Sequence, residues 1–202
     1  RDPEMSRGLG DVYKRQNYVG WGGLADAFDA EKTAWTGEYK ELKAALTEEE
    51  YAAARASTLN AHYTSPTVIR AIYEALDGMG FEKGNILEPS MGVGNFFGML
   101  PDSMLGSRLY GVELDSITGR IAQKLYPQAE IKVAGFETTD RRDFYDLAVG
   151  NVPFGNYRVS DKPYDKLGFS IHNYFFAKAL DQVRPGGIVA FVTSRYTICL
   201  LY

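Results

Sequence analysis

The sequence predicts an α/β protein built on a doubly wound, mostly parallel sheet, with a helical segment ahead of it. Three observations carry this reading. Short apolar runs at Asn85–Leu87, Leu109–Val112, Glu130–Ala134, Leu147–Val149 and Ile188–Val192 have strand length and alternate with stretches of helical period. The first run feeds a glycine turn, Gly92-Val93-Gly94, and the second ends in the acidic pair Glu113 and Asp115. The fourth ends in Gly150-Asn151-Val152-Pro153-Phe154-Gly155, an amide, a stiffened turn and an aromatic. Ligands of open parallel sheets gather outside the carboxyl ends of the strands, so these three tips are where a site is expected.

Composition sets the bounds. With 202 residues, 45% of them hydrophobic, the chain can bury one good core and is expected to hold one main domain. No apolar run approaches the ~18 residues of a membrane span, and no signal-peptide pattern opens the chain, so no membrane partner and a cytoplasmic location are expected. A single cysteine, Cys199, and two distant histidines, His62 and His172, leave no donor set for a metal. The net charge of −4 argues against a nonspecific nucleic-acid binder, which would carry a basic face.

The two ends read as foreign to the fold. Residues 1–16, with Asp11-Val12-Tyr13-Lys14-Arg15-Gln16, resemble the in-frame translation of a sequencing-library adapter. Residues 199–202 match the reverse complement of the same adapter; a native tail is the alternative. The expected division is therefore ends at 1–16 and 199–202, a helical arm over 17–56 and a catalytic domain over 57–198, truncated at its C-terminal side.

In the arm, Gly20-Trp21-Gly22-Gly23-Leu24 is a flexible aromatic turn that anchors by burying Trp21. Thr47 with Glu50 has capping-box spacing ahead of an alanine-rich helix. Ser65-Pro66 opens the next helix, Ser65 as N-cap and Pro66 at the first helical position, with Val68, Ile69, Ile72 and Leu76 as its apolar stripe. A helix over Ile117 to Leu125 follows the second strand. Thr138 to Phe144 is too short for a full helix, so that crossover is expected to be irregular. Residues 155–169 are polar and aperiodic, long for such a connection. Ser170 is expected to cap a last helix from Ile171 to Val183, with Ile171, Tyr174, Phe175 and Leu180 inward, and Arg184-Pro185-Gly186-Gly187 ending it sharply. His172 and Asn173 stand in its first turn as candidates to face the site, with a capping or solvent-facing role as the favoured alternative for His172.

Glu88-Pro89-Ser90-Met91-Gly92-Val93-Gly94-Asn95-Phe96 lacks the third glycine of a dinucleotide fingerprint, since Phe97 holds that place. It resembles motif I of S-adenosylmethionine-dependent methyltransferases. Asn151-Val152-Pro153-Phe154 resembles the Asn-Pro-Pro-Tyr/Phe signature of amino-group methyltransferases, with Val152 in place of the first proline. Tyr63-Thr64-Ser65-Pro66 precedes motif I and the quartet follows it, the gamma order of adenine-N6 DNA methyltransferases, including type I restriction methylase subunits. The Gly-Trp-Gly-Gly-Leu and Gly-Asn-Val-Pro-Phe-Gly strings are also similar to methylases fused to helicases on phages and conjugative elements.

The resemblance covers about residues 57–197 and implies a Rossmann-like class I methyltransferase fold with S-adenosylmethionine as cofactor. It implies cofactor contacts from Tyr63, Thr64, Ser65, Glu88, Pro89, Ser90, Gly92, Gly94, Asn95 and Phe96. Glu113 would hold the ribose, Leu114 would pack on the adenine, and Phe136 would touch it, with Glu137 standing in for an acid where Gly135 occurs. Asn151, Val152, Pro153 and Phe154 would be catalytic, transferring the methyl group directly to the N6 amine of a flipped DNA adenine. Partners implied are DNA and downstream target-recognition and helicase parts. Two alternatives stand: a release-factor glutamine methyltransferase, which shares the quartet, and a silent cofactor-binding module of a larger helicase protein.

Overall fold

The computed structural model describes residues 20–58, 64–155 and 157–193. Both terminal adapter-like segments, Tyr63 and His62 lie outside the described residues. Five strands form one parallel sheet: β1 (Asn85–Glu88), β2 (Arg108–Glu113), β3 (Glu130–Val133), β4 (Tyr145–Asn151) and β5 (Val183–Val192), in the order β3-β2-β1-β4-β5. The helices are α1 (Thr36–Ala45), α2 (Glu48–Ser57), α3 (Pro66–Gly78), a single turn α4 (Asn95–Gly98), α5 (Ser116–Leu125) and α6 (Ile171–Gln182). Strand order reverses between β1 and β4, which places the switch crevice at the tips of those two strands.

Neighbouring residues of a strand point to opposite faces, and the central strands show it. Ile86, Leu147 and Val149 join one core with Ile69, Tyr73 and Leu76 of α3 and Ala122 of α5. Leu87 and Ala148 join the other, with Ile171, Tyr174, Phe175 and Ala179 of α6. Helices therefore cover both faces, as near-continuous apolar strands require. A third, smaller core belongs to the arm, where Phe28 packs on Tyr51 and Ala54 of α2. Among the described residues no helix is long and apolar enough to cross a membrane.

Local chemistry explains most boundaries. Thr47 accepts from the Glu50 amide at 3.2 Å while Glu50 accepts from the Thr47 amide at 3.1 Å, a complete capping box. Ser65 caps α3 through Val68 N–H with Pro66 behind it. The β3–β4 crossover holds only a 3-10 turn, Phe136–Thr138, as its length demanded.

Four expectations need correcting. Val68 and Leu180 are 42% and 62% exposed, because the sheet-facing arcs of α3 and α6 are narrower than their apolar stripes. Ser170 precedes α6 but makes no side-chain cap hydrogen bond, its hydroxyl lying 3.3 Å from His172 Nδ1 instead. Arg184–Gly187 is not a stop before β5 but an irregularity within it. Pairing passes from Tyr145↔Val183 to Leu147↔Ile188 across that segment.

Candidate active site

The three strand tips open onto one cavity of about 310 Å³. Its floor begins at β1. Glu88, 2% exposed, ends that strand and leads into a turn held by the Met91 N–H, which donates to Val112 O of β2 at 3.0 Å. Gly94 closes the turn with φ +82°. A Cβ there would stand 2.6 Å from Tyr126 Cε2, and that ring is fixed because its hydroxyl donates to Gly94 O at 2.7 Å. Glycine is thus required twice over, by backbone conformation and by space. Gly94→Ala is expected to destabilise the fold by about 2–3 kcal/mol, from the left-handed penalty plus displacement of the ring. Urea unfolding checks this, and a loss below about 0.5 kcal/mol would sink it.

The carboxylate of Glu113 at the β2 tip bridges two backbone donors, Gly92 N–H and Asp115 N–H, each at 2.8 Å. Its group is pushed up to about 7 by burial, only partly offset by those two hydrogen bonds. Glu88 is raised well above the usual carboxylate range, first by burial and then by repulsion from Glu113. Its Oε2 is buried without a hydrogen-bond partner. Two acids whose titration is displaced by burial share this crevice, which makes it the candidate site.

The sign of the pH effect follows. A carboxyl raised in the folded state holds its proton where the unfolded chain has lost it, so stability falls as pH rises from about 4.5 through about 7. Glu113→Gln, which cannot titrate, is expected to flatten that slope. Thermal melts between pH 4.5 and 8 check it; a slope that Glu113→Gln leaves unchanged would remove Glu113 as its source.

At the β4 tip, Gly150 has φ +153°, and a Cβ there would approach Glu88 Cγ to 3.3 Å, so glycine lets the two central tips close up. Asn151 and Pro153 then line the cavity, together with Glu88, Pro89, Ser90, Gly92, Asn95, Phe96, Glu113, Leu114, Phe136, Glu137 and Thr64. Phe136 is 2% exposed and packs against Phe175 at 4.9 Å between ring centroids, so one ring serves both core and cavity wall.

Other expected site residues stand elsewhere. The Val152 side chain, 1% exposed, lies just past the end of β4 and joins the α6-side core, outside the cavity lining. Phe154 is half-buried but not part of the cavity lining. Ser65 is exposed as the α3 cap, and Gly94 is buried behind the turn. His172 and Asn173 also lie off the cavity lining.

Sequence reading did not assign several wall residues. Trp21 and, from α2, Ala53, Ala56 and Ser57 come from the arm; Asp115 and Thr118 come from the start of α5. Tyr157 and Val159 come from the aperiodic loop. Only Trp21 had a local signal, a large aromatic in a glycine-rich turn. Among the described residues no group of His, Cys, Asp and Glu is arranged to hold a metal ion.

No family model matches the sequence. The chain is 33% identical over 141 residues to Defense against restriction protein B of Escherichia phage P1, a match covering 67% of this chain and 6% of the phage protein. It is 34% identical over 92 residues to the Type II methyltransferase M.CvrRI of Paramecium bursaria Chlorella virus XZ-6E, covering 46% of this chain and 24% of the viral one. The chain thus spans less than a quarter of the length of either curated relative. Among solved structures, a Listeria monocytogenes protein assigned to the class I S-adenosylmethionine-dependent methyltransferases superposes with a TM-score of 0.55. Its identity is 14%, over 95% of this chain and 75% of that one. A Pyrococcus horikoshii protein assigned as an RNA methyltransferase gives a TM-score of 0.51 at 15% identity, over 69% of this chain and 67% of that one. At such identities the likeness is one of fold, and the fold of this chain is the Rossmann-like α/β fold of class I S-adenosylmethionine-dependent methyltransferases.

Proposed function

We propose that this chain binds S-adenosylmethionine and carries the catalytic centre for methyl transfer to the N6 amine of adenine in DNA. The observation that carries the reading is the meeting of Asn151 and Pro153 at the β4 tip with Glu88, Gly92 and Glu113 in one cavity. The names of the two curated relatives, a type II methyltransferase and a protein of defence against restriction, support it.

The residues present fit the cofactor. The buried Oε2 of Glu88 lacks a hydrogen-bond partner on a wall that would face a positively charged methionine head. Glu113 stands at the second strand tip, where an acid accepts ribose hydroxyls. Phe136 and Leu114 supply apolar surface for a base. When bound, S-adenosylmethionine supplies an electrophilic methyl on a sulfonium.

The chain's part is orientation and electrostatics. An exocyclic adenine amine is a weak nucleophile because its lone pair is delocalised into the ring. The Asn151 side-chain oxygen and the Val152 carbonyl accept its two N–H bonds, return electron density to nitrogen and aim the lone pair. Burial of the Val152 side chain holds its backbone firmly, a task that proline performs in the related signature. Pro153 stiffens the turn, and Phe154 offers a ring beside it for a base drawn out of the stack.

Calorimetric titration with S-adenosylmethionine is the first test, and transfer of labelled methyl to adenine in duplex DNA is the second. Absence of heat at millimolar cofactor would overturn the reading at its root. Label appearing on cytosine, on RNA alone or on a glutamine peptide, with none on DNA adenine, would overturn the substrate. With a net charge of −4, the chain alone is expected to hold DNA weakly, so the assay uses high DNA concentration and low salt.

A further inference from the structure

The glycine-rich turn around Trp21 has no role in the mechanism above, yet it reaches the site. Trp21 is half-buried and forms part of the cavity wall beside Leu114, Asp115 and Thr118. Its indole N–H donates to Asp115 Oδ2 at 3.1 Å, across 94 residues of sequence. Asp115 is 3% exposed and is itself tied in. Its Oδ1 accepts from Ile117 N–H at 3.1 Å, and its own N–H donates to Glu113 Oε1 at 2.8 Å. Glu113 in turn holds Gly92, so one hydrogen-bonded chain runs from the arm through the β2 tip to the glycine turn.

The ring is also supported from the arm side. Phe28 meets the indole edge-on, with 5.5 Å between centroids and 86° between planes. Independently, α2 docks on α5 through the Glu50–Arg120 ion pair and contributes Ala53, Ala56 and Ser57 to the same cavity. The indole, held by a hydrogen bond on one edge and by an aromatic contact from the arm, also forms part of the cavity wall.

From this we infer that Trp21 is a cofactor-contacting residue, its indole covering the nucleoside part of bound S-adenosylmethionine, so that the arm completes the binding site. The inference rests on the proposed function. Indole surface is suited to a purine or ribose face because it combines large area with few rotatable bonds. Closing that end of the site also excludes water from the Glu113 carboxylate.

The chain holds two tryptophans, Trp21 and Trp35, and Trp35 is not among the residues lining the cavity. In the full chain carrying Trp35→Phe, Trp21 is the sole indole reporter. Titration with S-adenosylhomocysteine is expected to change its emission, at the midpoint that calorimetry gives for the same protein. Trp21→Ala is expected to weaken calorimetric affinity about tenfold, about 1.4 kcal/mol. Trp21→Phe keeps the contact with Phe28 and is expected to lose about threefold, which separates loss of the ring from unfolding of the arm. Binding heat in the unsubstituted chain, with unaltered Trp21 emission and unaltered affinity in Trp21→Ala, would overturn this role and leave the proposed function standing. No binding heat in the unsubstituted chain overturns both.

Discussion

Asn151→Ala is expected to lower methyl transfer to adenine by about 10²–10³-fold, the scale of losing one preorganised hydrogen-bonding group that acts on charge in the transition state. Cofactor affinity is expected to stay within about threefold, because in the proposed mechanism the amide acts on the target amine and not on the cofactor. Single-turnover rates at saturating cofactor measure the first quantity and calorimetry the second. Asn151→Asp keeps an acceptor oxygen and is expected to fall less than Asn151→Ala. Equal turnover in Asn151→Ala and the unsubstituted chain would remove Asn151 from the chemistry, and a parallel loss of cofactor binding would make its role structural.

The second large effect concerns stability and lies behind the cavity. Lys178 on α6 is 3% exposed, and its ammonium donates to Asp161 Oδ2 at 2.6 Å and to Glu137 O at 3.1 Å. The Tyr174 hydroxyl donates to the same Asp161 oxygen at 2.7 Å, and burial together with that bond pushes the phenol above its ordinary range. This network ties the loop after the quartet to α6 and to the turn that ends β3. Lys178→Met would leave the Asp161 carboxylate buried and unpaired, at a cost of about 3–5 kcal/mol. For a chain of this size that is a fall in Tm of about 10 °C. Lys178→Met with Asp161→Leu removes both charges and is expected to recover more than half of the loss, with the Tyr174 hydroxyl left to find water. Thermal and urea unfolding of the three proteins check this. A single variant within about 1 kcal/mol of the unsubstituted chain would show the pair to be dispensable.

The same region shows where periodicity misleads. Leu180 was expected inward and Lys178 had no assigned place, yet Leu180 is 62% exposed and Lys178 is buried. Hydropathy ranks leucine above lysine for burial, but a lysine is admitted when a partner neutralises it. That partner, Asp161, lies in a stretch without secondary-structure period, so nothing local to α6 announced it. Trp21 poses the same problem. Its glycine-rich surroundings marked a turn, while its acceptor stands 94 residues away.

The site divides along the same line. Motif spacing alone put Glu88, Glu113 and Asn151 at strand tips, because a strand is a run of apolar residues and a tip is where it meets glycine, proline or charge. The parallel order β3-β2-β1-β4-β5 then set those tips side by side. Which residues of the quartet face the cavity was decided only in three dimensions. Asn151 and Pro153 line it while Val152, just past the end of β4, fills the core on the α6 side, where burial of an apolar side chain is favourable. The sequence by itself determined most of the elements and the caps at Thr47 and Ser65, which depend on torsion preferences and hydrogen bonds within a few residues. The cavity, the displaced titration of its acids and the wall contributed by the arm were decided by the tertiary structure. Each arises from burial and charge among groups brought together only when the sheet closes.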